Sequence, residues 1–127
     1  MSKQAVHSSQ LPPPQGPYSP AIRAGDLLFV SGLGPTDPAT GTLISGDFAA
    51  LVRRTLDNLA LVLEAGGARL EQVVKTTVYL TNLDLFPQMN EVYATYFGPT
   101  PPARTTIEAS RLPAGLAIEI DAIAYLG

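Results

Sequence analysis

Near its C-terminal end the chain alternates apolar and polar residues one by one, which predicts β-strands over residues 102–109 and 117–124. We interpret the two runs as a strand pair joined by a turn. Because successive side chains of a strand point to opposite faces, Arg104 and Thr106 share one face of the first run. In the second run Glu119 points away from a row of isoleucines and alanines. We therefore expect Arg104 and Glu119 to lie on the sheet face away from the main apolar one.

Further strands are predicted upstream. Residues 21–24 and 27–33 are joined by Gly25-Asp26, a dipeptide typical of a tight turn. Residues 73–80 are rich in β-branched side chains and fit a central strand. Ser31-Gly32 interrupts an apolar strand, and a glycine there marks either a β-bulge or a close approach of another group to the backbone.

Two helices are predicted over residues 48–65 and 86–97 from the helical spacing of their apolar side chains. Asp47 can cap the first helix, and Gly66-Gly67 can end it. Gly98-Pro99 can end the second. We interpret the polar side of the first helix as a solvated face; it carries Arg53, Arg54, Asp57 and Asn58.

The predicted elements follow the order ββαβαββ behind an extended, proline-rich arm over residues 1–20, with a short strand near residues 4–7. Both helices are long enough to cover one face of one sheet, so we expect an α+β fold in a single domain over residues 1–127. The other face carries apolar side chains beside Arg104 and Glu119, and another subunit is the usual cover for such a face. A homo-oligomer is therefore expected.

The composition of the chain excludes several kinds of site and argues against several kinds of partner. The chain has eight Lys and Arg against eleven acidic residues and no basic run, so we expect no nucleic-acid partner. The absence of cysteine excludes disulfides, thiolate metal sites and thiol nucleophiles. The sequence shows neither a secretory signal nor a membrane-spanning run, so we expect no membrane partner and a cytoplasmic location. His7, the single histidine, lies in the arm without a partner to orient its ring, and we interpret it as solvated.

Arg104 leaves two interpretations open. It can form an ordinary ion pair with Glu119, or both can be solvated, because structural ion pairs also occur in ordered interiors. Alternatively, its guanidinium is available to an external carboxylate, which the planar fork of N–H donors can bind in bidentate fashion.

Short motifs between Val6 and Tyr125 occur in an order and spacing that is typical of a known family. They are Gly16-Pro17-Tyr18-Ser19-Pro20, Val30-Ser31-Gly32, Asp57-Asn58-Leu59, residues 74–80, Asn90-Glu91-Val92-Tyr93, residues 102–105, Leu112-Pro113 and Ile118-Glu119-Ile120. Through these motifs the chain resembles the RidA family, also called YjgF, whose members are reactive-intermediate deaminases that hydrolyse enamines and imines.

The resemblance implies a chorismate-mutase-like α+β fold, with one mixed sheet of about six strands and two helices on one face. It also implies a homotrimer with active clefts between neighbouring subunits. The implied substrates are 2-imino and 2-enamino acids such as 2-aminoacrylate, and the products are a 2-keto acid and ammonia. The family uses no cofactor and no metal.

The resemblance also implies roles for individual residues. Arg104 matches the arginine that binds the substrate carboxylate, and Glu119 matches the acid that holds the attacking water. Gly32 matches a glycine whose backbone helps to place that water. Whether Glu119 acts as a general base or only anchors water stays open, because burial disfavours its charged form while a nearby Arg104 favours it.

Four further positions match residues that line the family's cleft. Tyr18, Ser31 and Asn90 match its tyrosine, serine and asparagine. Thr106 stands where many members have cysteine; that position is thought to bind substrate through its main-chain amide, which threonine keeps. Two other functions are carried as alternatives: a trimeric binder of small carboxylates without turnover, and a translation-inhibiting ribonuclease or chaperone-like protein.

Overall fold

A computed structural model describes residues 2–11 and 13–127 of the chain, so Met1 and Pro12 of the predicted arm lie outside the described residues. The described part contains six β-strands and two α-helices, with three short 3-10 helices between them. The strands are β1 (Gln4–Ala5), β2 (Ala21–Ala24), β3 (Leu27–Leu33), β4 (Val73–Leu80), β5 (Ala103–Glu108) and β6 (Ile118–Tyr125). The helices are α1 (Phe48–Ala65) and α2 (Phe86–Phe97), and the 3-10 helices are Leu70–Gln72, Leu83–Leu85 and Pro113–Gly115.

The strands form one mixed sheet in the order β1-β2-β3-β6-β4-β5, which confirms the predicted α+β architecture. β4 and β5 are parallel, and every other neighbouring pair is antiparallel. The predicted pairing of the two C-terminal strands is wrong, because β4 lies between β5 and β6. Parallel neighbours need a crossover connection, and α2 supplies it between β4 and β5.

The hydrophobic core lies between the sheet and the two helices. Both helices have the predicted bounds. The predicted cap of α1 is also present, because the side chain of Asp47 accepts a hydrogen bond from the Ala50 amide. The predicted apolar side of β6 is buried at every position. Its residues are Ile118, Ile120, Ala122 and Ala124.

Arg104 lies on the helix-covered face of the sheet, and the expectation that it shares a face with Glu119 is wrong. In the parallel ladder Arg104 is paired with Thr76, a fully buried residue whose hydroxyl meets α2. Glu119 is paired with Tyr79, which lies three residues after Thr76 on β4 and therefore points to the opposite face of the sheet. Because the register of a strand decides which face each side chain takes, the pairing of β5 with β4 fixes this outcome.

Asn58 is buried, although its helix face is predicted to be solvated. It is 6% exposed, and its Nδ2 donates to the carbonyl oxygens of Gly34 at 3.0 Å and Thr36 at 2.8 Å. Its Oδ1 accepts from the Arg54 Nε at 3.1 Å. Asn58 therefore anchors the loop after β3 to α1. The helical spacing of apolar residues does not show that a loop packs over this position.

The open face of the sheet, opposite the helices, combines apolar and acidic side chains. Its exposed large apolar residues are Leu27, Phe29, Ile107 and Tyr125. Among them lie the half-buried carboxyl groups of Glu119 and Asp121. No helix in the described ranges is long and apolar enough to cross a membrane.

Replacement of Asn58 by alanine is expected to lower the free energy of unfolding by about 1–3 kcal/mol, because two loop carbonyls lose their buried donor. Urea unfolding at a fixed protein concentration measures the change. Glu64→Ala, at an exposed position of the same helix, is the matched control. An Asn58→Ala effect no larger than that of the control would contradict the anchoring role.

Candidate active site

A groove of about 650 Å³ opens beside the end of β3, where the arm, the loop after β3 and the turn before β6 come together. Four of the residues predicted for the site line it, namely Tyr18, Ser31, Gly32 and Glu119. We refer to these four as the Glu119 group. The structure therefore brings these four predicted residues together at one concave surface.

A β-bulge shapes the floor of this groove. The register between β3 and β6 shifts between Val30 and Leu33, so that Ser31 and Gly32 together oppose one position of β6. The Ser31 hydroxyl donates to the Ser19 carbonyl at 2.7 Å, and its amide donates to the Pro20 carbonyl at 3.0 Å. The bulge therefore ties the arm to the sheet beside Glu119.

Gly32 is required by a close approach as well as by the bulge. A Cβ atom at this position would lie 2.5 Å from the Glu119 Oε2. Gly32 therefore forms part of a β-bulge and also allows a close approach to the backbone, the two interpretations that the sequence left open. The carboxylate rests against the Gly32 backbone, so the glycine decides where the acid can lie.

The Glu119 carboxyl is harder to ionise than an ordinary glutamate. Burial raises its pKa, and the negative charge of Asp121 on the same strand face raises the pKa further. Asp121 itself accepts a hydrogen bond of 3.0 Å from the Tyr79 hydroxyl. Arg104 does not offset these effects within one chain, because it lies across the sheet. Strand alternation places Asp121 on the same face as Glu119, but sequence reasoning gave it no role, and the position of Tyr79 follows only from the pairing of β4 with β6.

Arg104 is held by aromatic rings of α2. Its guanidinium carbon lies 4.7 Å from the centre of the Tyr93 ring and 5.4 Å from that of Phe86. Among residues 2–11 and 13–127 the one ion pair joins the exposed side chains of Arg69 and Glu71. Within this part of the chain Arg104 therefore has no carboxylate partner, and its charge is not used internally.

Asn90 and Thr106 lie beside Arg104, and we refer to the three as the Arg104 group. Asn90 is on the stripe of α2 that carries Phe86 and Tyr93, the two rings over the guanidinium. Thr106 follows two residues after Arg104 on the same strand face. The Asn90 Oδ1 and the Thr106 Oγ1 are buried and have no hydrogen-bond partner among the described residues. Buried polar atoms are rarely left without a partner, so these two atoms call for an explanation such as a bound ligand or water molecule.

The predicted site is thus divided between the two faces of the sheet. The Glu119 group lies on the open side, and the Arg104 group lies under α2 at the β5 edge. One chain brings the members of each group together but does not bring the two groups together. Among the described residues no cluster of three or more His, Cys, Asp or Glu side chains could hold a metal ion.

Comparison with known proteins gives a consistent result. Residues 8–126 match a family model described as endoribonuclease L-PSP. A RutC family protein of Pyrococcus horikoshii is 49% identical over 123 residues, covering 97% of this chain and 98% of that protein. The chloroplastic Reactive Intermediate Deaminase A of Arabidopsis thaliana is 40% identical over 126 residues, covering 99% of this chain and 67% of that protein.

A solved structure has the same fold. The crystal structure of RidA from an Antarctic Psychrobacter species superposes with a TM-score of 0.91 at 34% sequence identity. The match covers 96% of this chain and 98% of that one. The likeness therefore extends over nearly the whole of both chains.

Gly32→Ala is expected to lower the free energy of unfolding by about 1–3 kcal/mol, because the added methyl group would press on the Glu119 carboxylate. In a Glu119→Ala background, which removes the obstructing atoms, the same change should cost less than about half as much. A double-mutant cycle in urea measures this coupling. Equal costs in the two backgrounds would mean that the two residues are not in contact.

Proposed function

The chain belongs to the endoribonuclease L-PSP family, also known as the YjgF/RidA family, and we propose that it hydrolyses 2-imino and 2-enamino acids to 2-keto acids and ammonia. The family includes proteins named as reactive intermediate deaminases. The proposed substrates are small acids of the 2-aminoacrylate, 2-iminopropionate and 2-iminobutyrate type. The observation that carries the proposal is the Arg104 guanidinium, which lacks a carboxylate partner in the described chain and shares its strand face with Thr106, whose buried Oγ1 has no hydrogen-bond partner among the described residues.

The proposed chemistry needs mainly positioning. Arg104 binds the substrate carboxylate and so directs the imine carbon toward a water molecule held between Glu119 and the Gly32 backbone. Water adds to the carbon of the C=N bond while the carboxylate of Glu119 takes a proton from it, and this proton passes to the nitrogen to give a carbinolamine. Transfer of the hydroxyl proton to the nitrogen, again through Glu119, breaks the C–N bond and releases ammonia and the 2-keto acid. An enamine substrate first tautomerises to its imine.

We place the complete site between two copies of the chain. Arg104 and Glu119 lie on opposite faces of the sheet in one chain, so a single copy cannot present both to one small acid. The exposed apolar residues of the open face, among them Phe29 and Ile107, support association through that face. We propose a homotrimer of the chorismate-mutase type, in which the Arg104 group of one copy meets the Glu119 group of the next.

A ribonuclease activity, which the family description names, is less well supported by this chain. Its net charge is −3, and the carboxyl group of Glu119 lines the groove, where a phosphate backbone would be repelled. The deaminase proposal is therefore preferred. The experiment described next distinguishes it from RNA cleavage and from carboxylate binding without turnover.

The test generates imines with an amino-acid oxidase in the presence of semicarbazide, which traps the free imine. The protein is expected to reduce semicarbazone formation, and Arg104→Ala should lower kcat/KM by about 100-fold because the substrate is no longer oriented. Arg23→Ala, at an exposed arginine of β2, is the matched control. Binding of 2-oxobutyrate without a fall in semicarbazone would indicate a non-catalytic binder. RNA cleavage that persists in repurified Arg104→Ala protein would indicate a ribonuclease.

Complementation extends this test to the two-chain site. Arg104→Ala and Glu119→Ala proteins are unfolded, mixed in equal amounts and refolded together. Mixed trimers should recover about a quarter of the wild-type activity, since three quarters of random trimers are mixed and each contains one complete site. No recovery in the mixture, with each protein refolding to the wild-type oligomeric state, would place both residues of a site in one chain.

The activity is expected to fall as the pH decreases through the pKa of Glu119, because its ionised form is the active one and the negative charge of Asp121 raises that pKa. Asp121→Asn removes the neighbouring negative charge, lowers the pKa of Glu119 and should move the fall to lower pH. Profiles of kcat/KM against pH measure the shift. Glu64→Gln, an exposed carboxylate of α1, should leave the profile unchanged, and an unchanged profile in Asp121→Asn would contradict the role of Glu119.

A further inference from the structure

Arg104 is held by side chains that take up almost none of its hydrogen-bonding capacity. The Tyr93 ring lies at 4.7 Å and the Phe86 ring at 5.4 Å from the guanidinium carbon. The Nη1 atom lies 3.9 Å from the Met89 sulfur, a weak acceptor. All three partners are on α2, and no stronger acceptor for this guanidinium occurs in the described part of the chain.

The kind of partner decides what the guanidinium can still bind. A carboxylate would occupy two N–H donors in parallel and neutralise the charge. An aromatic face attracts the cation through the ring quadrupole instead, and it leaves the N–H groups at the edge of the guanidinium free. Contact with Tyr93 and Phe86 therefore restrains Arg104 without competing with an incoming acid.

Tyr93 is itself fixed on the sheet. Its side chain is 5% exposed, and its hydroxyl shares a 2.7 Å hydrogen bond with the Thr76 Oγ1. Burial raises the pKa of Tyr93, so the phenol stays protonated in the neutral range. Thr76 is the β4 residue paired with Arg104 in the parallel ladder. The Tyr93 side chain is thus hydrogen-bonded to the β4 residue that is paired with Arg104.

We propose that Tyr93 is a positioning residue, whose ring holds the Arg104 guanidinium so that its free edge faces a substrate carboxylate. This inference rests on the proposed function and assigns to α2 a part in carboxylate binding. Tyr93 acts through Arg104 and touches no reacting atom. Phe86 provides a second, more distant ring on the same side.

The test compares Tyr93→Leu, which removes the ring, with Tyr93→Phe, which keeps it and loses only the hydroxyl. Tyr93→Leu should raise both the Kd for 2-oxobutyrate and the KM for imine by about 4- to 12-fold, because the released guanidinium must then be ordered when the acid binds. Its kcat should change less than about threefold, because Arg104 holds the carboxylate of the bound substrate and of the transition state alike. Tyr93→Phe should stay within about threefold of the wild type in Kd and KM.

Phe97→Leu is the matched control. Phe97 lies on the same helix, is 6% exposed and packs on Tyr93 at a ring distance of 4.6 Å, but its ring is not over the guanidinium. It should lower stability as Tyr93→Leu does while leaving the Kd within about twofold of the wild type. Equal weakening of binding by Phe97→Leu, or wild-type binding by Tyr93→Leu, would overturn the positioning role.

A spectroscopic readout does not depend on activity. In the wild type and in Tyr93→Phe the ring current should move the Arg104 side-chain protons upfield, and in Tyr93→Leu this displacement should largely disappear. Unchanged resonances in Tyr93→Leu would overturn the contact. A wild-type protein that binds 2-oxobutyrate without hydrolysing imines would end the deaminase proposal alone, whereas turnover with an unchanged KM in Tyr93→Leu would end the positioning role alone.

Discussion

The parallel pairing of β4 with β5 is the constraint on which the candidate site depends. It places Arg104 beside Thr76, and Thr76 faces α2. The guanidinium therefore lies against the Tyr93 and Phe86 rings, while Glu119 projects from the opposite face of the sheet. An arginine one register step away would reach the open face and the carboxylates there. The ladder thus keeps cation and acid of one chain apart.

This separation has a functional consequence. An ion pair between Arg104 and Glu119 would satisfy both groups inside one chain and leave neither for a ligand. Held apart, Arg104 keeps its charge and its N–H donors, and Glu119 keeps a pKa raised by burial and by Asp121. Each group is incomplete by itself, so the proposed chemistry ties activity to assembly of the subunits.

The two groups are built by different local devices. On the open side a β-bulge and a glycine make room for the Glu119 carboxylate against the backbone. Under α2 a set of aromatic and thioether side chains restrains Arg104 by weak, non-competing contacts. In both cases the surroundings fix the place of a charged group without neutralising it, which is what binding of a charged ligand requires.

The secondary structure and much of the local chemistry can be predicted from the sequence, including both helices, the cap at Asp47, the central strand β4 and the interruption at Ser31-Gly32. These follow from interactions between residues close in the chain, namely periodicity, capping and the geometry of glycine. The remaining features depend on how distant segments pack together. That packing places β4 between the last two strands, buries Asn58 under a loop, and turns Arg104 toward α2. Such outcomes depend on pairing between distant segments, and a one-residue change in that pairing exchanges the two faces of a strand without altering its pattern.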